Sequence, residues 1–415
     1  MKSHFAALLA TAAALNVASA AEGLYYIGSE AQESLPLKWV VGMNAVWDDN
    51  VSPTATGAGA NDEAFSLNPY VGVSFVNITP QSTLDVYARL GLIYYIDEPA
   101  AAGTDDLYPQ TRVGVNWTHR FNERLRFSSR NFVSYELEPD YAYGFASSRQ
   151  LDAYLYAQTD NSIGYRWTER LATYTGFNFS ILDYENNVSN SDRTIWGLYQ
   201  QFRYQLTPQS VVTFDYRYSQ TDADGLAADS DSHYFLLGLE HRFSPNTILI
   251  ARGGAQVRET DAVNGSDGTS PFVEVALRSR INDVFSIRGF ARYGSEVYDT
   301  VRQTAPLGPL YDFDDRRTMR LGITGEYAIS PMLSVFGGVD YITAKFDDGR
   351  LVAGAGAATL SGIDEDLVNA YLGLSVKFTD SLYGTVSYNY TDSNSDFVGY
   401  SYDRNRVSVG VRAEF

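Results

Sequence analysis

The chain has 415 residues, 45% hydrophobic and 14% aromatic, and its 31 basic against 50 acidic side chains give a formal charge of −19. That balance argues against a nucleic-acid partner, and the absence of cysteine excludes disulfides, thiolate metal sites and thiol nucleophiles. The mean hydropathy of −0.22 suits a protein in which only alternate residues of each strand are apolar.

The first element reads as a leader. Lys2, an apolar stretch from Phe5 to Leu15, and Ala18-Ser19-Ala20 supply the charge, length and small-residue exit of a signal peptide spanning 1–20. The stretch is too short to span a bilayer, and no later segment approaches the ~18 continuous apolar residues of a spanning helix. The mature chain is expected to be exported, with 21–37 a short periplasmic segment and 38–415 a single domain. A membrane crossing would then have to be made by a closed barrel.

From residue 38 onward, apolar and polar side chains alternate. About eighteen such runs follow one another, from 38–48 to 402–415. The run 152–167 is irregular around Thr159-Asp-Asn-Ser162, and the late runs are 317–329, 333–346 and 366–378. Short turns recur at 78–81, 121–124, 168–170, 207–209, 244–247, 282–283, 330–332 and 379–381, supplied by Pro, Asn, Asp and Ser. Opposite them lie longer acidic segments such as 48–63, 136–140, 222–231, 261–270 and 347–366. Short turns at one rim and long loops at the other are the asymmetry of an outer-membrane barrel. The final run, Arg406 to Phe415, alternates strictly and ends on an aromatic residue.

Alternation also indicates which side is wet. An arginine facing lipid at the midplane would cost ~2–4 kcal/mol, so the arginines face a lumen. Arg89, Arg217, Arg252, Arg288, Arg292 and Arg320, with Asp215, Glu240, Glu274, Glu326 and Asp340, are the pore-lining candidates. Mixed charge across a lumen sets up a transverse field that orients polar solutes; wall-holding ion pairs are the plainer alternative. Trp39, Trp117, Trp167, Phe243, Tyr327 and Phe378 would form one aromatic belt, and Trp47, Tyr94, Trp196, Tyr218, Tyr341 and Tyr390 the other. Tyr87, Tyr95, Tyr174, Tyr199, Tyr371 and Tyr383 face inward, where they could stack sugars or simply fill the wall.

Catalytic chemistry is sparse. His119 and His241 fall on the lipid-facing register, and His233 with Asp231 or Ser232 is the one candidate pairing, whose side chains are expected on opposite faces. Asp222-Ala-Asp224-Gly225 resembles half a calcium loop but lacks the bidentate glutamate. No enzyme, metal or cofactor is expected.

Trp47-Asp48-Asp49-Asn50-Val51, opening the first long loop, resembles the Y-D-D-N entry of the β-barrel porin 2 family of Gram-negative outer-membrane proteins. That resemblance implies a single-chain outer-membrane barrel with porin activity, and links in some members to exopolysaccharide loci. It carries over no binding residue.

The sequence therefore points to an all-β fold: a transmembrane, antiparallel, up-and-down barrel of 16–18 strands. Eighteen strands would leave an aqueous lumen. The expected function is passive diffusion of small hydrophilic solutes or ions across the outer membrane of a Gram-negative bacterium. Its partners would be outer-membrane lipid and lipopolysaccharide. Loop 347–366, with Gly349, Gly354, Gly356 and Gly362, is expected to fold inward as the constriction, facing a basic wall of Arg252, Arg288, Arg292 and Arg320. A component of exopolysaccharide export is the alternative. Outward Gly253, Gly289 and Gly337 leave room for a homo-trimer.

Overall fold

Each strand of the wall hydrogen-bonds to a neighbour on each side, and the first strand also pairs with the last. The structure, a computed structural model, describes residues 34–51, 63–96, 106–137, 153–185, 192–261, 267–296, 300–304 and 308–415. The leader 1–20 and residues 21–33 lie outside the described residues, as do parts of the long loops. Among the described residues no helix is long and apolar enough to cross a membrane.

The wall begins with β1 (Leu35–Asp48), β2 (Ala64–Ile78), β3 (Ser82–Tyr95), β4 (Leu107–Arg120), β5 (Leu125–Glu136) and β6 (Tyr154–Arg166). It continues with β7 (Leu171–Tyr184), β8 (Arg193–Thr207), β9 (Ser210–Ala223), β10 (Ser230–Ser244), β11 (Thr247–Thr260), β12 (Gly268–Arg280) and β13 (Phe285–Glu296). It ends with β15 (Leu310–Ser330), β16 (Leu333–Ala353), β18 (Ile363–Lys377), β19 (Leu382–Ser395) and β20 (Tyr402–Glu414). Two short strands, β14 (Val301–Gln303) and β17 (Thr359–Leu360), pair above the rim with β15 and β16. Eighteen strands thus make the wall, all antiparallel.

Closure runs from Val40↔Glu414 to Asp48↔Arg406. It is completed by backbone bonds in both directions between Trp39 and Phe415, at 3.0 and 2.9 Å. The eighteen-strand wall thus has no open edge, the condition under which a sheet's backbone polar groups can sit in hydrocarbon.

The short turns share one device. The residue opening each turn folds its side chain back onto the backbone N–H groups two or three positions later. Asn122 Oδ1 accepts from the amides of Arg124 and Leu125, and Asn282 Oδ1 from those of Val284 and Phe285. Thr79, Thr168, Thr207, Ser244, Ser330 and Thr379 do the same with their hydroxyls.

Register separates the two faces. Leu237 (64% exposed), Trp39 (57%) and Val411 (51%) stand on the outside, while neighbours such as Glu240 and Arg203 are buried within. On β15 the outward residues from Met319 to Ile329 are apolar. Ten residues at ~3.3 Å, tilted about 45°, give a band of roughly 24 Å, the height of a barrel's lipid-facing belt.

One expectation needs correction. Residues 310–316 and 346–353 continue β15 and β16 as a hairpin above the rim, so 347–366 is not a free loop. The glycines and acidic residues there suggested a loop. Their costs are met locally: Gly354 and Gly362 take the positive φ of turns (87° and 76°), and Arg350 pairs with Asp312 and Asp314.

Candidate functional site

The inner face from β8 to β15 is a ladder of opposed charges, built because each strand places alternate side chains inward and the register aligns them. Arg252 on β11 lies directly opposite Glu274 on β12, Glu274 opposite Arg292 on β13, and Arg292 opposite Arg320 on β15. Four of the candidates thus form one row. Arg288 does not join it: it pairs across with Arg278 and Thr324, about 13 Å nearer the short-turn rim at ~3.3 Å per residue. There Arg288 interacts with Glu326. Asp340 faces inward opposite Gly322 on β15.

The charges are shared rather than isolated. Glu274 holds Arg252 at 2.5 Å and Arg217 at 3.3 Å, and Asp215 takes Arg252 at 3.4 Å and a hydrogen bond from Gln201. Glu240 pairs with Arg203 at 2.5 Å, both only 2% exposed. Glu296 grips Arg320 through both oxygens, at 2.8 and 3.0 Å, and Arg316 at 3.1 Å. Buried ions of this kind persist only when paired, and removing one partner costs about 3–5 kcal/mol. Within this mid-wall set, Arg203, Arg217, Arg252, Arg292, Arg316 and Arg320 stand against Asp215, Glu240, Glu274 and Glu296, six cations to four anions.

Glu296 and Arg316 were absent from the sequence-derived candidates. Glu296 alternates in phase with Arg288 and Arg292, and the sequence puts it on their polar face although not among the pore-lining candidates. Arg316 fell before the expected start of its strand, and its neighbour Arg317 points outward to Asp315 and Asp347.

The opposite wall is plated with aromatics. Arg89 on β3 stacks over the Tyr70 ring at 3.8 Å. Arg130 pairs with Asp160 at 2.9 Å, and the Tyr199 hydroxyl donates to the same carboxylate at 2.9 Å. Arg112 is bidentate on Glu136. Tyr87, Tyr174 and Tyr371 lie against glycines of neighbouring strands, Tyr174 buried and the other two half-buried; filling the wall is the role this packing supports.

Above the wide mouth, the extended β15–β16 hairpin carries Phe313 and Phe346, both 0% exposed, packed against Phe397 of the β19–β20 loop. Arg258, on the inner face of β11, donates to the Asp314 carbonyl, which draws this cap inward over β13 and β12. The segment expected to be a glycine-rich constriction loop is in large part a paired, cored element.

His233 accepts from or donates to Tyr216 Oη at 3.0 Å, and Tyr218 donates to Asp231 at 3.1 Å. Asp231 and His233, two apart, share the outward face; only Ser232 is turned to the lumen, so the expected opposition holds for Ser232 alone. His119 and His241 meet Phe121 and Phe243 edge to face on the outer face. Among the described residues no group of three or more His, Asp or Glu could hold a metal ion.

No family model matches the chain, and no curated protein matches it. Solved structures do. The chain is similar to Acinetobacter baumannii OccAB4, at 13% identity over 92% of this chain and 99% of that one, with a TM-score of 0.44. It is similar to the outer membrane protein OpdK of Pseudomonas aeruginosa, at 14% identity over 91% and 99%, with a TM-score of 0.47. It is also similar to Pseudomonas aeruginosa OccK9 (OpdG), at 11% identity over 91% and 98%, with a TM-score of 0.45.

Proposed function

We propose that this chain is an outer-membrane channel through which small hydrophilic solutes diffuse passively. The observation that carries the reading is the division of the cylinder. A largely apolar belt outside, interrupted over β5–β8 by Ser129, Asn131, Thr159, Asn161, Thr175 and Gln200, and an ion-paired wall inside fit lipid on one side and water on the other. An eighteen-strand wall is wide enough to keep that water continuous.

The mechanism follows from the two inner walls. The row Arg252–Glu274–Arg292–Arg320 is net positive, and the opposite wall carries Arg89 on its Tyr70 plate. A polar solute crossing between them meets fixed charges that replace part of its hydration, while an apolar one finds no compensation for displacing ordered water. The cap over the wide mouth narrows the entrance. The outer belt contacts lipid and, at the long-loop rim, lipopolysaccharide.

Purified protein in a planar bilayer tests the reading. Discrete conductance steps, with a cut-off against sugars of increasing size, are expected. A folded, inserted barrel that passes no current would end it.

A further inference from the structure

Five aromatic rings of the inner wall each lie over a glycine directly opposite on the next strand. Tyr70 faces Gly42, Tyr87 faces Gly114, and Tyr199 faces Gly176 in the hydrogen-bonded register. Phe290 and Phe336 repeat the relation with Gly322 and Gly373 on the far side of the barrel. A Cβ built on any of these glycines would meet ring carbons well inside 3.0 Å, a separation that real Cβ atoms essentially never show. These rings therefore occupy space that any other residue would fill.

We propose that these glycines are size-selectivity determinants: each is a slot that holds an aromatic side chain flat in the wall and so keeps the bore open. The proposal rests on the channel reading. The physical argument is directional. A side chain on a strand ordinarily stands away from the sheet, and an inward tyrosine standing that way would project about 6 Å into the lumen. Glycine in a strand costs roughly 0.5–1 kcal/mol relative to alanine, so repeated glycines need a return, and here each one is covered by a ring. A methyl group in the slot leaves the ring nowhere to go except inward, because backbone lies behind it. On the first wall the slot has a second consequence. Tyr70 is held between Gly42 and the Arg89 guanidinium, so displacing the ring also moves a lumen charge.

The test is single-channel conductance of full-length protein carrying Gly114→Ala or Gly176→Ala, with liposome swelling in sugars of graded size. Heat-modifiable gel migration would verify that each barrel is folded. The slot predicts that G114A lowers conductance by about a third or more and shifts the sugar cut-off downward. It predicts that G114A/Y87A restores or exceeds the wild-type values. Tyr87→Ala alone should change conductance little, because the ring already lies within the wall. A folded G114A with unchanged conductance overturns the proposal while leaving the channel intact. Should G114A fail to fold, Y87A decides: a large conductance gain would mean that the ring stands in the lumen, contrary to the proposal. Absence of current through the unmodified barrel would overturn the channel and the slots together.

Discussion

Asp48 holds Arg404 through both carboxylate oxygens, each 3.0 Å from Nε, with Nη2 at 2.5 Å from one of them. The two residues are 356 positions apart and lie on the first and last strands of the wall. Arg406 adds a third contact to Asp48 at 3.1 Å. Beside them, Asp49 accepts from the Asn405 amide and side chain at 2.6 Å each, and Asn50 donates to the Asp403 carbonyl at 2.7 Å. The motif Trp47-Asp48-Asp49-Asn50 is thus a clasp over the barrel seam.

The clasp makes Asp48→Asn the most informative stability change. Asp48 and Arg404 are each only 4% exposed, so an uncharged partner leaves two guanidinium groups poorly compensated. A loss of about 3 kcal/mol is expected. Urea unfolding from lipid vesicles, followed by tryptophan fluorescence, measures it. The double variant D48N/R404Q should lose less than the sum of the single changes, because the two residues act as one unit.

The sequence exposed the wall more fully than it exposed this clasp. Alternation placed nearly every strand to within a few residues, because a wall with one largely apolar and one polar face imposes a period of two on its strands. The short turns were visible for an equally local reason: Asn122, Thr168 and Asn282 bond to amides two or three residues away. What alternation could not show were relations set by closure or by folding back. The partner of Asp48 is at the other end of the chain. The extension of β15 to Leu310 depends on Arg350 meeting Asp312 and Asp314, and Arg258 reaching the Asp314 carbonyl. Read alone, Asp312, Asp314 and Asp315 look like solvated loop.

The charged row sets a prediction for ion preference. Arg252→Gln removes the cation shared by Asp215 and Glu274 but leaves Glu274 with Arg217, so the wall should survive. Glu274→Gln does the reverse. One unit charge at ~5 Å in water is worth about 0.8 kcal/mol. R252Q should therefore raise the cation-to-anion permeability ratio by up to roughly fourfold, and E274Q should lower it similarly. Reversal potentials under a salt gradient report both. Equal shifts in one direction would mean that the row does not sense the permeating ions.

The turn device predicts small, additive losses. Asn122→Ala strands two amides that its side chain now accepts at 2.8 Å each, and Asn282→Ala does the same at 3.0 and 2.8 Å. About 1 kcal/mol each is expected, since these turns are exposed and water replaces part of the bond. The sites lie on different hairpins and share no partner, so N122A/N282A should lose about 2 kcal/mol. Asn122→Asp, which keeps the acceptor, should lose little. Unfolding midpoints in urea separate these cases.

The cap above the wide mouth combines an apolar centre with buried acids, and each part has its own signature. Phe346 sits 5.3 Å from Phe313 and 5.5 Å from Phe397, ring centre to ring centre, with the Arg302 and Arg316 guanidinium groups over its face at 5.3 and 5.4 Å. Phe346→Ala should cost about 3 kcal/mol. The loss should be local, because the lipid-facing band starts below, at Met319. Faster amide exchange over 310–316 and noisier open-channel current are the expected readouts, with little change in global unfolding. The acids give the pH dependence. Burial raises the Asp312 carboxyl above its ordinary range, with the Arg350 and Arg258 charges opposing, and it raises Asp315 in the same direction. A carboxyl whose folded pKa is raised penalises the folded cap at neutral pH, where it is charged. That penalty is relieved as pH falls through the raised value, before the same group in an open cap takes up its proton. Acidification from neutrality should therefore tighten the cap, with slower exchange at 310–316 and quieter current. Loosening on acidification would mean that the arginine contacts dominate over burial.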